Sequence, residues 1–142
     1  DNGYCVQFYV PYNADQIYMR RSDANRWSDW LKVAMFEKDF GWKKANLQNG
    51  WQHYVTYGEV QYSKSIDGIV YLKGTGRSGS SVRDTVIFEL PIGFRPSNSL
   101  FIKALNDDFG LAILQIGSDG RVIVKKNVDS TWLNLDNISF KI

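Results

Sequence analysis

The sequence predicts an all-β protein: an antiparallel β-sandwich or jelly-roll-like head preceded by a small β piece. Three observations carry this. The 142 residues include 11 Val, 11 Ile and 21 aromatics against 6 Ala and 3 Glu; β-branched and aromatic side chains suit a pleated, half-buried surface, whereas Ala and Glu favour helices. Two Asp-Gly pairs, Asp67-Gly68 and Asp119-Gly120, stand between apolar alternating runs, the signal of a tight hairpin. Short apolar runs recur after residue 50 with Gly, Asn, Asp and Pro between them, as in sandwiches and small barrels.

The elements follow in order. Residues 4–10 alternate as a strand, and 16–20 read as its neighbour across the turn Pro11-Tyr12-Asn13-Ala14-Asp15. Residues 28–35 carry some helical period, with a strand at least as well supported. Residues 41–50 are polar and irregular, which makes them the connection between a small N-terminal piece, residues 1–40, and a main body, residues 45–142. There, residues 58–64 and 69–74 pair through Asp67-Gly68, and 110–116 and 121–126 pair through Asp119-Gly120. Strands are also expected at 85–90, 100–105, 132–135 and 138–142, with 74–81, GTGRSGSS, as a loop. Leu90 to Pro96, LPIGFRP, reads as a strand-to-loop corner: Pro91 removes a ladder donor, Gly93 supplies positive φ, and Pro96 holds Arg95 extended.

Composition excludes several classes. Seventeen basic against fifteen acidic residues give a net charge of +2, with no basic excess of the kind nucleic acid requires. No apolar run approaches the roughly 20 residues of a membrane helix, and no signal peptide opens the chain. Asp1 is not a start methionine, so a fragment or processed product is expected. Cys5 is the one cysteine and His53 the one histidine, which rules out an intrachain disulfide and a thiolate zinc site and leaves any nucleophilic triad to His53. No metal and no cofactor are expected.

Residues 18–34, YMRRSDANRWSDWLKVA, resemble the small knob-like units of phage and pyocin tail fibres, through Tyr18, Arg20, Trp27, Ser28 and Trp30. Residues 49–79, 86–97, 116–124 and 132–142 resemble the C-terminal head domain of phage tail-fibre and baseplate receptor-binding proteins. The residues that carry it are Asn49-Gly50-Trp51, Tyr62, Val70, Leu72, Gly74, Leu90-Pro91, Gly93, Arg95-Pro96, Asp119-Gly120, Trp132 and Ile138-Ser139-Phe140. The resemblance implies a homotrimer at the tail tip of a virion, joined to other tail or baseplate proteins. It implies attachment to bacterial surface carbohydrate, either wall polysaccharide or teichoic acid; the absence of a nucleic-acid or membrane partner is expected from the composition above.

Six residues stand out as ligand contacts, each with a plainer reading beside it. Trp51 and His53 offer an aromatic face and a polar ring, or simple packing. Arg77 and Arg83 bracket a Gly/Ser loop whose backbone N–H groups and charges suit phosphate, or they flank an ordinary exposed loop. Asp107 and Asp108 form the one adjacent acidic pair, suited to sugar hydroxyls or a cation, or a solvated turn. Trp132 reads as core, and Trp27 and Trp30 as the small core of the N-terminal piece. A binding module is therefore the first expectation and a trimerising structural module without its own ligand the second. A depolymerase is the least favoured, because no pair of carboxylates at glycosidase spacing stands out and no catalytic residue is assigned.

Overall fold

The computed structural model describes residues 4–12, 17–24, 26–33 and 41–142, with Asp108 described by its backbone only. The chain divides into two compact units, Asp1–Lys38 and Asp39–Ile142. Among the described residues there is no α-helix, and all the strand pairings are antiparallel. The all-β expectation holds.

The first unit is one sheet. Strand β2 (Ile17–Asp23) lies between β1 (Cys5–Tyr9) on one side and β3 (Arg26–Trp27) and β4 (Leu31–Val33) on the other. The register Phe8↔Met19, Met19↔Leu31 and Ile17↔Val33 puts Val6, Phe8, Ile17, Met19, Leu31 and Val33 on one face, since residues paired across strands share a side of the pleat. Val6, Phe8 and Leu31 are 54%, 67% and 61% exposed. The opposite face is closed by its own rings. The Arg20 guanidinium lies 4.4 Å from the Trp27 ring and 4.5 Å from that of Trp30, and its Nε donates to Gln7 Oε1 at 2.9 Å. Trp27 and Trp30 thus clasp a cation and stay partly exposed; they do not form the small buried core the sequence pattern predicts. Cys5 is exposed. Residues 28–35 resolve in favour of a strand at Leu31–Val33, and the part of this stretch from 34 onward, like residues 13–15 of the first turn and residue 16 of the strand expected after it, lies outside the described residues.

The second unit is built from two sheets. Its strands are β5 (Lys43–Lys44), β6 (Gln52–His53), β7 (Gln61–Lys64), β8 (Ile69–Lys73), β9 (Thr75–Arg77), β10 (Val86–Glu89), β11 (Leu100–Asn106), β12 (Leu111–Ile116), β13 (Arg121–Lys126), β14 (Leu133–Asn134) and β15 (Ile138–Lys141). The large sheet runs β10-β13-β12-β11-β14-β9-β6 and the small one β15-β8-β7-β5. Both Asp-Gly hairpins form, β7–β8 and β12–β13, with Gly68 and Gly120 at positive φ. Alternation along the strands sends Val70, Leu72, Phe88, Ala104, Leu114, Ile116, Val122, Leu133 and Phe140 into one buried core.

Two expectations change. Residues 41–50 are no free connection: Lys43–Lys44 pairs with β7, the Ala45 N–H donates to Val60 O at 3.0 Å, and Ala45 is buried. GTGRSGSS is only half a loop, because Thr75–Arg77 forms β9 between β14 and β6. The LPIGFRP corner forms as expected: Arg95 Nε donates to Leu90 O at 2.8 Å and its Nη2 to Glu89 Oε1 at 2.8 Å, while Phe94 packs edge-on against Tyr62 at 5.0 Å.

The chain passes from the small sheet to the large one at Gly74, between β8 and β9. It passes back at Leu135-Asp136-Asn137, between β14 and β15. These two crossings lie side by side, since β9 pairs with β14 and β8 with β15. Gly74 has φ +90°, and a Cβ there would overlap the Glu59 carbonyl. Glycine is therefore required at this corner.

Candidate functional site: an aromatic and carboxylate cleft at the sheet crossing

The crossing opens a cleft of about 470 Å³ on the outer face of the large sheet. Its floor follows from register: Leu105 pairs with Asn134, and Asn134 with Thr75, so the three side chains form a cross-strand row. Alternation in Trp132-Leu133-Asn134-Leu135-Asp136 buries both leucines and leaves Trp132, Asn134 and Asp136 on the cleft side. Thr75 is buried yet satisfied, accepting from Asn134 Nδ2 at 3.1 Å.

The walls are equally specific. The 3-10 turn Asp107–Phe109 follows β11 and carries Asp107, whose Oδ1 accepts the Trp132 indole N–H at 2.9 Å. Phe109 stands at φ +55° and is 82% exposed, with its ring edge-on to Trp132 at 6.3 Å. A bulky residue in the left-handed region is costly and tends to occur where function holds it. Tyr57 lines the far side, steadied by an edge contact to Tyr54 at 4.9 Å. Asp136 and Asn137 close the end of the cleft; Asp136 Oδ1 accepts the Gly74 N–H at 2.7 Å and its Oδ2 accepts Asn134 Nδ2 at 2.9 Å. Flat rings beside carboxylate and amide groups can stack on the C–H faces of a sugar and accept its hydroxyl protons.

The structure treats the six sequence candidates differently. Asp107 lies in this cleft; the Asp108 side chain lies outside the described residues. Trp51 is 4% exposed and packs on Gly79, where a Cβ would overlap the indole. It is largely a core residue, and what remains of its surface lines, with His53, a separate cleft. His53 is partly buried and accepts the Val60 N–H through Nδ1 at 3.1 Å, which leaves Nε2 to carry the proton of the neutral ring. Burial, and after it the charge of Lys44, pull its pKa below the ordinary histidine value, against a smaller opposing effect of Glu59. It borders a separate cleft of about 560 Å³ beside Lys44, Asn46 and Gln52. Arg77 and Arg83 are exposed; the Arg77 guanidinium covers the Tyr54 ring at 4.8 Å and Arg83 lies 3.8 Å from Asp84. Between them Ser78 N donates to Ser130 O, Ser80 N to Asn49 O and Val82 N to Ser80 Oγ. Three of the loop's N–H groups are thus engaged within the protein, which leaves fewer of them to cradle an anion.

A solved structure similar in fold is found among known proteins. It is the receptor binding protein of Listeria phage PSA, matched at a TM-score of 0.57 and 15% identity over 70% of this chain and 62% of that one. The chain therefore spans less than two-thirds of that protein. No protein-family model matches the sequence, and no curated protein matches it.

Sequence reading missed Trp132, Phe109, Asn134 and Asp136 as site residues. The signal was present in Trp132-Leu133-Asn134-Leu135-Asp136, where polar and aromatic residues alternate with leucine. Tryptophan in a strand reads as core until the neighbouring strands show which face is open. Among the described residues no group of three or more His, Cys, Asp or Glu side chains converges as metal ligands.

Proposed function

We propose that this chain is the host-attachment module of a phage tail fibre or baseplate. Carbohydrate of the bacterial surface, wall polysaccharide or teichoic acid, binds in the cleft of Trp132, Phe109, Asp107, Asn134 and Asp136. The observation that carries this reading is that cleft, open on a fold shared with a phage receptor binding protein. The module acts at the virion tail tip as a homotrimer attached to other tail proteins, and it is a binder and not an enzyme. The N-terminal sheet supports the oligomer: six apolar side chains share a face on which Val6, Phe8 and Leu31 are more than half exposed, and contiguous apolar surface of this kind marks an interface.

The test is adsorption. The purified protein should label host cells and block phage attachment, and Trp132→Ala, with an unchanged circular-dichroism spectrum, should abolish both. Full blocking by Trp132→Ala and by Asp107→Asn together would assign attachment to another surface.

A further inference from the structure

We infer that the ligand groove continues across the Asp136-Asn137 corner to Trp42 and Lys73, where it receives an anionic group of the same glycan chain. This rests on the saccharide reading of the cleft above and extends it to the class of polymer bound.

Three observations lead there. First, a second cleft, about 610 Å³, is lined by Trp42, Tyr71 and Lys73 together with Asp136 and Asn137. The last two residues also line the first cleft, so the two open on either side of one short wall. Each volume falls within the roughly 300–1,000 Å³ of sites for organic ligands. The wall exists because the chain changes sheets there, and Asn137 sits at φ +63° in that turn.

Second, the two clefts differ in charge. The first has two carboxylates, Asp107 and Asp136, and no Lys or Arg among its lining residues. Hydroxyl groups are welcome there, and an anion is repelled. The second shares Asp136 with the first but lacks Asp107 and adds an ammonium, that of Lys73.

Third, that ammonium is placed and, among the described residues, joined to no carboxylate. Lys73 Nζ stands 4.0 Å over the Trp42 ring, a contact that orients a cation without neutralising it. No ion pair joins Lys73 to a carboxylate among the described residues. Its N–H groups are thus available to a phosphate or a uronate carboxylate. A neutral sugar in the first cleft with an anionic linkage or substituent one unit along meets both charge patterns at once.

The experiment uses wall polymer extracted from the bacterium the phage infects, cut to fragments of one, two and several repeats. Binding is followed by calorimetry and by the indole N–H signals of the whole chain. Single sugars released from the polymer should shift the Trp132 signal alone; longer fragments should shift Trp42 as well and bind more tightly. Lys73→Gln and Trp42→Phe should weaken the longer fragments by about tenfold while leaving the single-sugar affinity unchanged. Added salt should weaken long fragments for the parent but little for Lys73→Gln, since an exposed charge contact is screened. Fragments stripped of phosphate and fragments with reduced carboxyl groups are compared in parallel, and the treatment that removes the salt dependence identifies the anion. Long fragments that bind Lys73→Gln and Trp42→Phe as they bind the parent, while Trp132→Ala loses them, overturn the continued groove and leave the first cleft standing. Absence of binding by every fragment to the parent overturns the saccharide reading itself.

Discussion

The Asp136 carboxylate accepts the Gly74 backbone N–H at 2.7 Å, joining the two points where the chain leaves one sheet for the other. Gly74 lies between β8 and β9, and Asp136 between β14 and β15. In the same place the Leu135 N–H donates to Gly74 O at 2.9 Å. This corner holds the sheets in their relative positions, and both clefts open against it.

Gly74→Ala is expected to destabilise the protein by roughly 2–4 kcal/mol, since it combines a left-handed backbone with overlap of the Glu59 carbonyl. Asp136→Ala leaves the buried Gly74 N–H without its acceptor and should cost about 1–3 kcal/mol. Urea denaturation measures both, and a Gly74→Ala protein as stable as the parent would contradict the corner's role.

Trp51 and Trp132 should separate by phenotype. Trp51→Ala empties a core position and should cost about 3–5 kcal/mol, with binding lost only as far as the fold is lost. Trp132→Ala, at the surface of the cleft, should keep most of the stability and lose cell binding. Melting curves beside cell-binding isotherms decide the matter, and the reverse assignment would move the site to the region of Trp51 and His53.

His53 contributes a pH dependence with a definite sign. Its pKa is lowered in the folded protein from the ordinary value of 6.5, chiefly by burial, so the unfolded chain binds the proton more readily. The stability it contributes is complete above about pH 6.5, declines as the pH falls through the lowered folded value, and levels off below. Protonation also removes the acceptor of the Val60 N–H. The difference in urea midpoint between the parent and His53→Gln should therefore shrink from pH 7.5 to pH 5. A difference that widens over that range would show the opposite sign.

The N-terminal sheet should determine assembly. Phe8→Asp with Leu31→Asp places two charges on the open apolar face and should turn an oligomer into monomers in light scattering. Arg20→Ala acts on the other face, removes the cation held between Trp27 and Trp30 at a cost of about 1–2 kcal/mol, and should leave the oligomer intact. Cys5→Ser should change neither property. An oligomer that survives the double Asp variant would place the interface elsewhere.

Much of this protein was legible in its sequence. Residue composition and alternation predict the all-β class, and Asp67-Gly68 and Asp119-Gly120 locate their hairpins, because a two-residue turn is decided by the φ its own residues tolerate. The LPIGFRP corner is local for the same reason. The site was legible only in Asp107. Trp132, Asn134 and Asp136 lie on one strand face, yet whether that face is core or surface depends on Thr75 and Leu105, which are far away in sequence and meet it only by strand pairing. Trp51 shows the converse: its ring is buried by Gly76 and Gly79, residues of a stretch that by composition reads as a loop. Local chemistry thus determined strands and turns, while long-range register decided which aromatic rings pack inside and which line the open cleft.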